Sequence, residues 1–157
     1  IAIVHETLSQ TLDERVEFDE IADRVLSMVA EIAPGNVTGR RGGRFGVLEA
    51  QVATPLSMVL TELLQNAMEH GFSAGDHGTV EVSAVRGGTA RDARLLVTVQ
   101  DDGVGVPEGF DPQVMGNLGL QIVRTLVEGE LNGTFTMVPA PEHGTRVLLD
   151  IPVRMEK

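Results

Sequence analysis

Two polar side chains, Glu62 and Asn66, lie four residues apart in the segment TELLQNAMEHG, whose apolar spacing predicts a helix. A spacing of four puts both side chains on one helix face, one turn from each other. The amide oxygen of Asn66 suits a hard cation such as Mg²⁺, and Glu62 offers a carboxylate for catalysis. Solvated helix surfaces carry the same pair of residue types, so the spacing alone leaves both interpretations open.

A second chemical feature, the segment DDGVG, follows a predicted strand. Its glycines, Gly103 and Gly105, let the backbone turn and approach a ligand closely. An ionised Asp101 can accept a hydrogen bond from an exocyclic amine such as that of adenine. A simple turn has the same composition, and this segment by itself does not decide between the two.

A third feature is a predicted helix start in the segment GNLGLQIV, which contains Gly116 and Gly119. The free amides and the dipole of a helix N-terminus favour phosphate. The only lysine of the chain is Lys157, at the C-terminus, which excludes the GxxxxGK[ST] phosphate loop. The helix start is therefore the candidate phosphate site, although an ordinary glycine-containing loop explains the same letters.

Composition restricts the class of function. The 157 residues carry a net charge of −11 and are 42% hydrophobic, which predicts one domain with a real core whose field repels nucleic acid and anionic membranes. No cysteine is present, and the 4 histidines lack metal-ligand spacing, so neither disulfides nor a structural metal site is expected. With no apolar span or basic leader, we expect a cytoplasmic protein without nucleic-acid or membrane contacts.

Apolar periodicity and turn residues predict an α+β fold. Three helices are predicted. The first spans 18–32 and the third 118–130, and the second begins with Thr54 as its cap and Pro55 in its first turn and ends at Gly71. The strands are predicted at 47–53, 79–85, 93–101, 133–139 and 144–152, and GNVTGRRGGRFG at 35–46 is predicted to be a loop. The expected architecture is a mixed sheet of about five strands covered on one face by three helices.

Taken in this order and at these intervals, the three chemical segments identify a family resemblance. The chain resembles the ATP-binding (HATPase_c) domain of sensor histidine kinases, within the GHKL superfamily shared with Hsp90-type and gyrase-type ATPases. ELLQNAMEH matches its N box, DDGVG and NLGLQIV its two glycine boxes, and HGTRVLLDIP its glycine-threonine strand. The resemblance covers about residues 17–154. It implies a two-layer α/β sandwich of the Bergerat type, with ATP between helices and sheet under a lid at about 106–117.

The resemblance also implies a role for each matching position. Asn66 would bind Mg²⁺, Asp101 the adenine amine, and Glu62 would polarise the attacking imidazole. Glu69 stands where a basic residue is common in the family, so His70 or Arg124 would supply that charge. The remaining implied nucleotide-binding positions are Gly103, Gly105, Val106, Gly116, Leu118, Gly119, Leu120 and Thr145.

The N-terminal segment VHETLSQ resembles an acceptor motif, but His5 lacks the following proline and the room for a two-helix hairpin before Asn66. It resembles more closely the second dimerisation helix of the HisKA_2 subgroup, which implies an acceptor histidine upstream of Ile1. Residues 1–16 are thus predicted to be the end of a dimerisation and phosphotransfer helix with its linker, and 17–157 the catalytic domain. The chain, lacking an initial methionine, is expected to be part of a longer polypeptide.

The resemblance implies partners and leaves alternatives. The implied partners are the protein's own dimerisation and phosphoacceptor domain, a second copy in a homodimer, and the receiver domain of a response regulator. An anti-sigma-factor serine kinase has a related N box, although the N-terminal segment speaks against it. A degenerate nucleotide-binding interaction module is the other alternative, suggested by Glu69.

Overall fold

The computed structural model describes residues 14–32, 36–70, 77–103 and 118–154. In chain order the elements are β1 (Arg15–Glu17), α1 (Phe18–Glu31), β2 (Asn36–Gly43), β3 (Val47–Glu49), α2 (Ala50–His70), β4 (His77–Gly88), β5 (Ala93–Asp101), α3 (Leu118–Thr125) with a π-helical turn (Leu126–Glu130), β6 (Thr134–Pro139) and β7 (Thr145–Pro152).

Five of the strands form one mixed sheet in the order β2-β4-β5-β7-β6, and β1 and β3 form a separate two-stranded ribbon. β2 runs parallel to β4, whereas the other neighbouring pairs of the large sheet are antiparallel. The register puts Val80 opposite Asp101 and Gln100 opposite Arg146. The start of β4, the end of β5 and the start of β7 therefore lie side by side at one end of the sheet's strands.

The core lies between the sheet and the three helices. Alternate residues of the central strands are buried, namely Val80, Val82, Ala84, Leu95, Val97, Val99, Val147, Leu149 and Ile151. The opposite face of the sheet exposes Val85, Leu96 and Leu148, so the helices cover one face only. The predicted α+β sandwich is confirmed, and burial of each large apolar side chain contributes about 1.5–3 kcal/mol to it.

The segment GNVTGRRGGRFG was predicted to be a loop, and this prediction was wrong. Residues Asn36–Gly43 form β2, an edge strand paired with β4. The strand was not predicted because its glycines interrupt the alternation of apolar residues that indicates a strand. Gly39 has a packing reason, since a Cβ there would lie 2.8 Å from the Cδ1 atom of Leu26 on α1.

The prediction of a strand over 47–53 was also wrong in part. β3 ends at Glu49 and α2 begins directly at Ala50, so Pro55 lies inside the helix rather than in its first turn. Ala50 and Ala53 are buried on the core-facing side of α2, and their small apolar side chains suit either element, so the pattern could not separate strand from helix. The fifth strand of the sheet is β2 rather than this segment.

Other elements agree with prediction, including α1, the β4–β5 hairpin and the β6–β7 pair. The third helix is confirmed, but its last turn is π-helical, and the Leu131 amide donates to the Leu126 carbonyl at 2.9 Å. β1 was not predicted because three residues carry too little periodicity. The division into 1–16 and 17–157 stays a prediction, since residues 1–13, including His5, lie outside the described residues and β1 spans the proposed boundary.

Candidate functional site

Asp101, the last residue of β5, is the one charged residue among those described that is buried, with 7% of its surface exposed. Its Oδ1 atom accepts hydrogen bonds from the backbone amides of Gly103 at 2.9 Å and Thr145 at 3.3 Å. Within the described residues both bonds fall on Oδ1. Oδ2 is thus the oxygen left to accept a hydrogen bond from a ligand.

The environment of Asp101 alters its ionisation. Burial raises the pKa of its carboxyl group, because a charge is poorly solvated there. The two amide hydrogen bonds act in the opposite direction, the nearby Asp102 charge raises the pKa further, and His143 lowers it. Keeping a carboxylate at this position therefore costs free energy that a ligand amine can offset.

The neighbouring Asp102 has a different role. It is exposed, its Oδ1 accepts a hydrogen bond from the Thr79 amide at 2.8 Å, and its own amide donates to the Thr79 carbonyl at 3.3 Å. These bonds continue the pairing of β4 with β5 beyond Asp101. The structure therefore separates the two aspartates that the sequence presents together: Asp101 faces the interior and Asp102 fastens two strands.

Gly144 is a site residue that the sequence reasoning did not single out. It has a φ of +100°, and a Cβ there would lie 2.0 Å from the Asp101 carbonyl oxygen and 2.9 Å from the Asp102 Cα. Only glycine lets the β6–β7 turn approach β5 so closely, and this approach puts the Thr145 amide next to the Asp101 carboxylate. The glycine could have been noticed in the sequence, because it directly precedes Thr145 in the segment HGTRVLLDIP.

Glu62 and Asn66 lie on α2, and both are half-buried. The Asn66 Nδ2 atom is fully buried and has no hydrogen-bond partner among the described residues. A buried amide without a partner costs about 1–3 kcal/mol, so such a group usually has a ligand or water to satisfy it. This orphaned amide is consistent with a polar ligand against α2, and the residue type fits an oxygen ligand for Mg²⁺.

α3 packs against α2. In its first turn Leu118 is 72% exposed, whereas Leu120 is buried and Gly119 is half-buried. α3 thus belongs to the same helix layer as α2, which carries Asn66, and α2 also contacts β5, which ends at Asp101. The predicted phosphate, metal and base positions all belong to these three adjoining elements.

Some predicted positions lie outside the described residues. These are Gly105, Val106 and Gly116, together with the rest of the predicted lid at 106–117. His70 ends α2, but its side chain is not among those described. Their predicted roles stay predictions.

The tight approach of Gly144 leads to a stability prediction. Gly144→Ala should lower the free energy of unfolding by at least about 1–3 kcal/mol, because the new side chain must force the turn away from β5 at a strained φ. It should also weaken nucleotide binding by displacing the Thr145 amide. Thermal unfolding and calorimetric titration measure both effects. The matched control is Gly87→Ala, whose Cβ would have nothing within 4 Å; equal behaviour of the two variants would contradict this role.

The raised pKa of Asp101 leads to a second prediction. The folded protein binds the proton of the Asp101 carboxyl group more tightly than the unfolded chain does. Protonation of Asp101 therefore stabilises the folded state below the ordinary pKa of 3.8, and this stabilisation is lost as the pH rises through the raised pKa. At neutral pH the unliganded Asp101→Asn variant should therefore melt at a higher temperature than the parent. The difference should shrink as the pH falls towards 3.8, and a difference that grew on acidification would refute the assignment.

Comparison with known proteins identifies the family. Residues 51–155 match the family described as histidine kinase-, DNA gyrase B-, and HSP90-like ATPase, and the chain belongs to this family. Membership implies an ATP-binding domain. The matched range contains α2 from its second residue onward, the end of β5, α3 and the start of β7, which are the elements of the site described above.

Several individual proteins are similar to this chain. The chain is 46% identical over 157 residues to the sensor histidine kinase PdtaS of Mycobacterium tuberculosis, which covers 98% of this chain but only 30% of the length of PdtaS. The solved histidine kinase domain of a blue-light-activated kinase from Erythrobacter litoralis is 30% identical, with a TM-score of 0.75, covering 88% of this chain and 62% of that one. The ATP-binding domain of PrrB from M. tuberculosis shares the fold. It is 24% identical, with a TM-score of 0.70 over 92% of this chain and 99% of that one.

Among the described helices, none has the length and apolar character to cross a membrane.

Proposed function

We propose that this chain is the catalytic domain of a two-component sensor histidine kinase, which transfers the γ-phosphoryl group of ATP to a histidine on a helical domain preceding it. The 46% identity to PdtaS and the family match support this class. The observation that carries the site is the buried Asp101 carboxylate, whose Oδ1 is occupied by two amides. The partner helical domain, a homodimer, a response-regulator receiver and a cytoplasmic location belong to the same proposal.

The residues divide the work of binding and transfer. Asp101 accepts a hydrogen bond from the adenine amine through Oδ2, and Thr145 and Gly103 keep that carboxylate oriented. The amides at the start of α3, near Gly119, face the phosphates. Glu62 accepts a proton or hydrogen bond from the attacking imidazole and increases its nucleophilicity. Because phosphoryl transfer needs positioning and charge neutralisation more than covalent help, this small set of groups is sufficient.

Mg²⁺ fits the same site, since the half-buried Asn66 offers its amide oxygen next to an amide nitrogen that has no partner among the described residues. When bound, the ion neutralises charge on the triphosphate oxygens. Asn66 is the residue that we propose to hold it. The HisKA_2 subgroup, with an acceptor histidine before Ile1 rather than at His5, remains part of the proposal.

Glu62→Gln tests the division between binding and transfer. The amide keeps the size of the side chain but loses the basic carboxylate, so the transfer rate should fall by about 10²–10⁴-fold while the affinity for MgATP is retained. Calorimetry measures the affinity, and incorporation of labelled γ-phosphate into the full-length gene product measures the rate. A parallel loss of both would assign Glu62 to nucleotide binding instead.

The stability of the phosphorylated product distinguishes the candidate functions. Phosphohistidine is lost in acid and survives alkali, whereas phosphoserine shows the opposite behaviour. The proposal predicts an acid-labile label on the full-length gene product. An acid-stable label on a separate protein would favour the serine kinase, and MgATP binding without any transfer would favour the interaction module.

A further inference from the structure

The chain that leads into α1 is fastened to the domain by backbone hydrogen bonds. β1 pairs with β3 in antiparallel register, and the pairing is extended at both ends. The Ala50 amide donates to the Glu14 carbonyl at 2.9 Å, and the Phe18 amide donates to the Gly46 carbonyl at 3.1 Å. The incoming chain is thus bonded at Glu14 to the first residue of α2, and the first residue of α1 is bonded to the loop that precedes β3.

The Asp19 side chain fastens the same region a second time. Its Oδ1 accepts hydrogen bonds from the Phe45 amide at 2.9 Å and from Arg41 Nη1 at 2.8 Å, and its Oδ2 accepts one from the Gly46 amide at 2.9 Å. Arg41 also contacts the more exposed Asp23. The carboxylate thus ties the first turn of α1 to the 44–46 loop. The two loop amides and Arg41 Nη1 all donate to this one side chain.

Arg86 of the sheet adds bonds to the 44–46 loop and to the segment that follows β7. Arg86 of β4 donates from Nη1 to the Phe45 carbonyl at 3.0 Å and from Nη2 to the Arg154 carbonyl at 2.9 Å. The rings of Phe18 and Phe45, both 0% exposed, lie with their centroids 5.0 Å apart. We call the β1–β3 ribbon, the 44–46 loop and the side chains of Asp19, Arg41 and Arg86 the clasp.

We propose that the clasp is a rigid joint, which fixes the direction from which the chain arrives at Glu14 relative to the nucleotide site. This inference rests on the proposed function, because it concerns how an acceptor on the preceding chain is presented. α2 begins at Ala50, directly after β3 of the clasp, and carries Glu62 and Asn66 further along the same helix. A position imposed at Glu14 is therefore passed on to the site helix, and the acceptor imidazole meets the phosphoryl group in one orientation.

Asp19→Ala tests the joint because it removes the acceptor of two loop amides and of Arg41 at once. The transfer rate of the full-length gene product should fall about 10- to 100-fold, as misorientation of reacting groups does, while the affinity for MgATP stays unchanged. The matched control is Asp23→Ala, which removes only the exposed partner of Arg41 and should transfer at the parental rate. Equal rates for the two variants, or loss of MgATP affinity in Asp19→Ala, would overturn the proposal.

A disulfide across the ribbon separates a loosened joint from a damaged fold. Glu17 and Val47 face each other in the register, and the chain has no cysteine of its own, so the pair Glu17→Cys and Val47→Cys can be oxidised selectively. Residues facing each other on adjacent antiparallel strands are within disulfide range. Oxidation should leave transfer unchanged in the otherwise parental protein and should restore it in the Asp19→Ala background. A disulfide that blocks transfer, or that fails to rescue, would contradict a rigid joint.

These results are distinguishable from a failure of the function itself. If the parental protein binds no MgATP or forms no phosphohistidine, the proposed function is wrong. If the parent is fully active and Asp19→Ala transfers equally well, the function stands and only the clasp inference is refuted.

Discussion

Asp101→Asn should reverse the base preference of the site. Because Oδ1 accepts from the Gly103 and Thr145 amides, an asparagine will keep its oxygen there and place its NH₂ group where Oδ2 lies. A donor then faces the amine of adenine, which is also a donor. Loss of this charge-assisted hydrogen bond, worth about 1.5–3 kcal/mol, lowers ATP affinity roughly 10- to 100-fold. Inosine triphosphate, with an oxygen in place of the amine, should bind the variant better than ATP does.

Calorimetric titration of the parent and of Asp101→Asn with ATP and with inosine triphosphate, in the presence of Mg²⁺, measures this reversal. Asp102→Asn is the matched control, because it makes the same change on an exposed neighbour that bonds Thr79. It should keep the parental preference for ATP. An Asp101→Asn variant that binds ATP with parental affinity would show that this carboxylate does not contact the base.

Replacement of Asn66 should weaken nucleotide binding, and replacement by alanine should also remove its magnesium dependence. Asn66→Asp puts a carboxylate oxygen where a buried nitrogen lacks a partner among the described residues, and that charge is both poorly solvated and repelled by the triphosphate. Asn66→Ala removes the oxygen ligand without adding charge. Affinity for ATP in the presence of Mg²⁺ should fall at least about tenfold in both variants.

The comparison of ATP titrations with Mg²⁺ and with a chelator isolates this effect. In the parent the ion should strengthen binding, and in Asn66→Ala, which has no side-chain oxygen to bind the ion, it should not. Gln65→Ala, next along the helix and half-exposed, serves as the control and should behave as the parent. Retention of the magnesium effect in Asn66→Ala would remove this residue from the proposed ion site, and circular dichroism checks that each variant is folded.

Sequence reasoning predicted the layers of this fold well because its long elements repeat clearly. Leu60, Leu64 and the other buried residues of α2 follow helical spacing, and β5 alternates from Leu95 to Val99. The failures fall where glycine or alanine replaces the larger apolar residues. β2 was missed because Gly39 makes room for Leu26 instead of adding an apolar side chain, and the start of α2 was missed because Ala50 and Ala53 suit a strand equally well.

The candidate site was predictable to the level of residue types but not of contacts. The letters DDGVG present two equivalent aspartates, and only the register of β5 with β4 shows that Asp101 points to the interior and Asp102 to the Thr79 amide. Gly144 was passed over because its function depends on a positive φ and on the proximity of β5, which are tertiary properties. The clasp likewise joins residues far apart in sequence, such as Asp19 and Phe45, whose pairing no local pattern indicates.

The most direct test of the proposed nucleotide site is a crystal structure of the chain with Mg²⁺ and a non-hydrolysable ATP analogue. We expect the adenine amine within hydrogen-bonding distance of Asp101 Oδ2, the ion bound to the Asn66 amide oxygen, and the phosphates at the start of α3. A nucleotide bound with its base away from Asp101, or its metal away from Asn66, would contradict it.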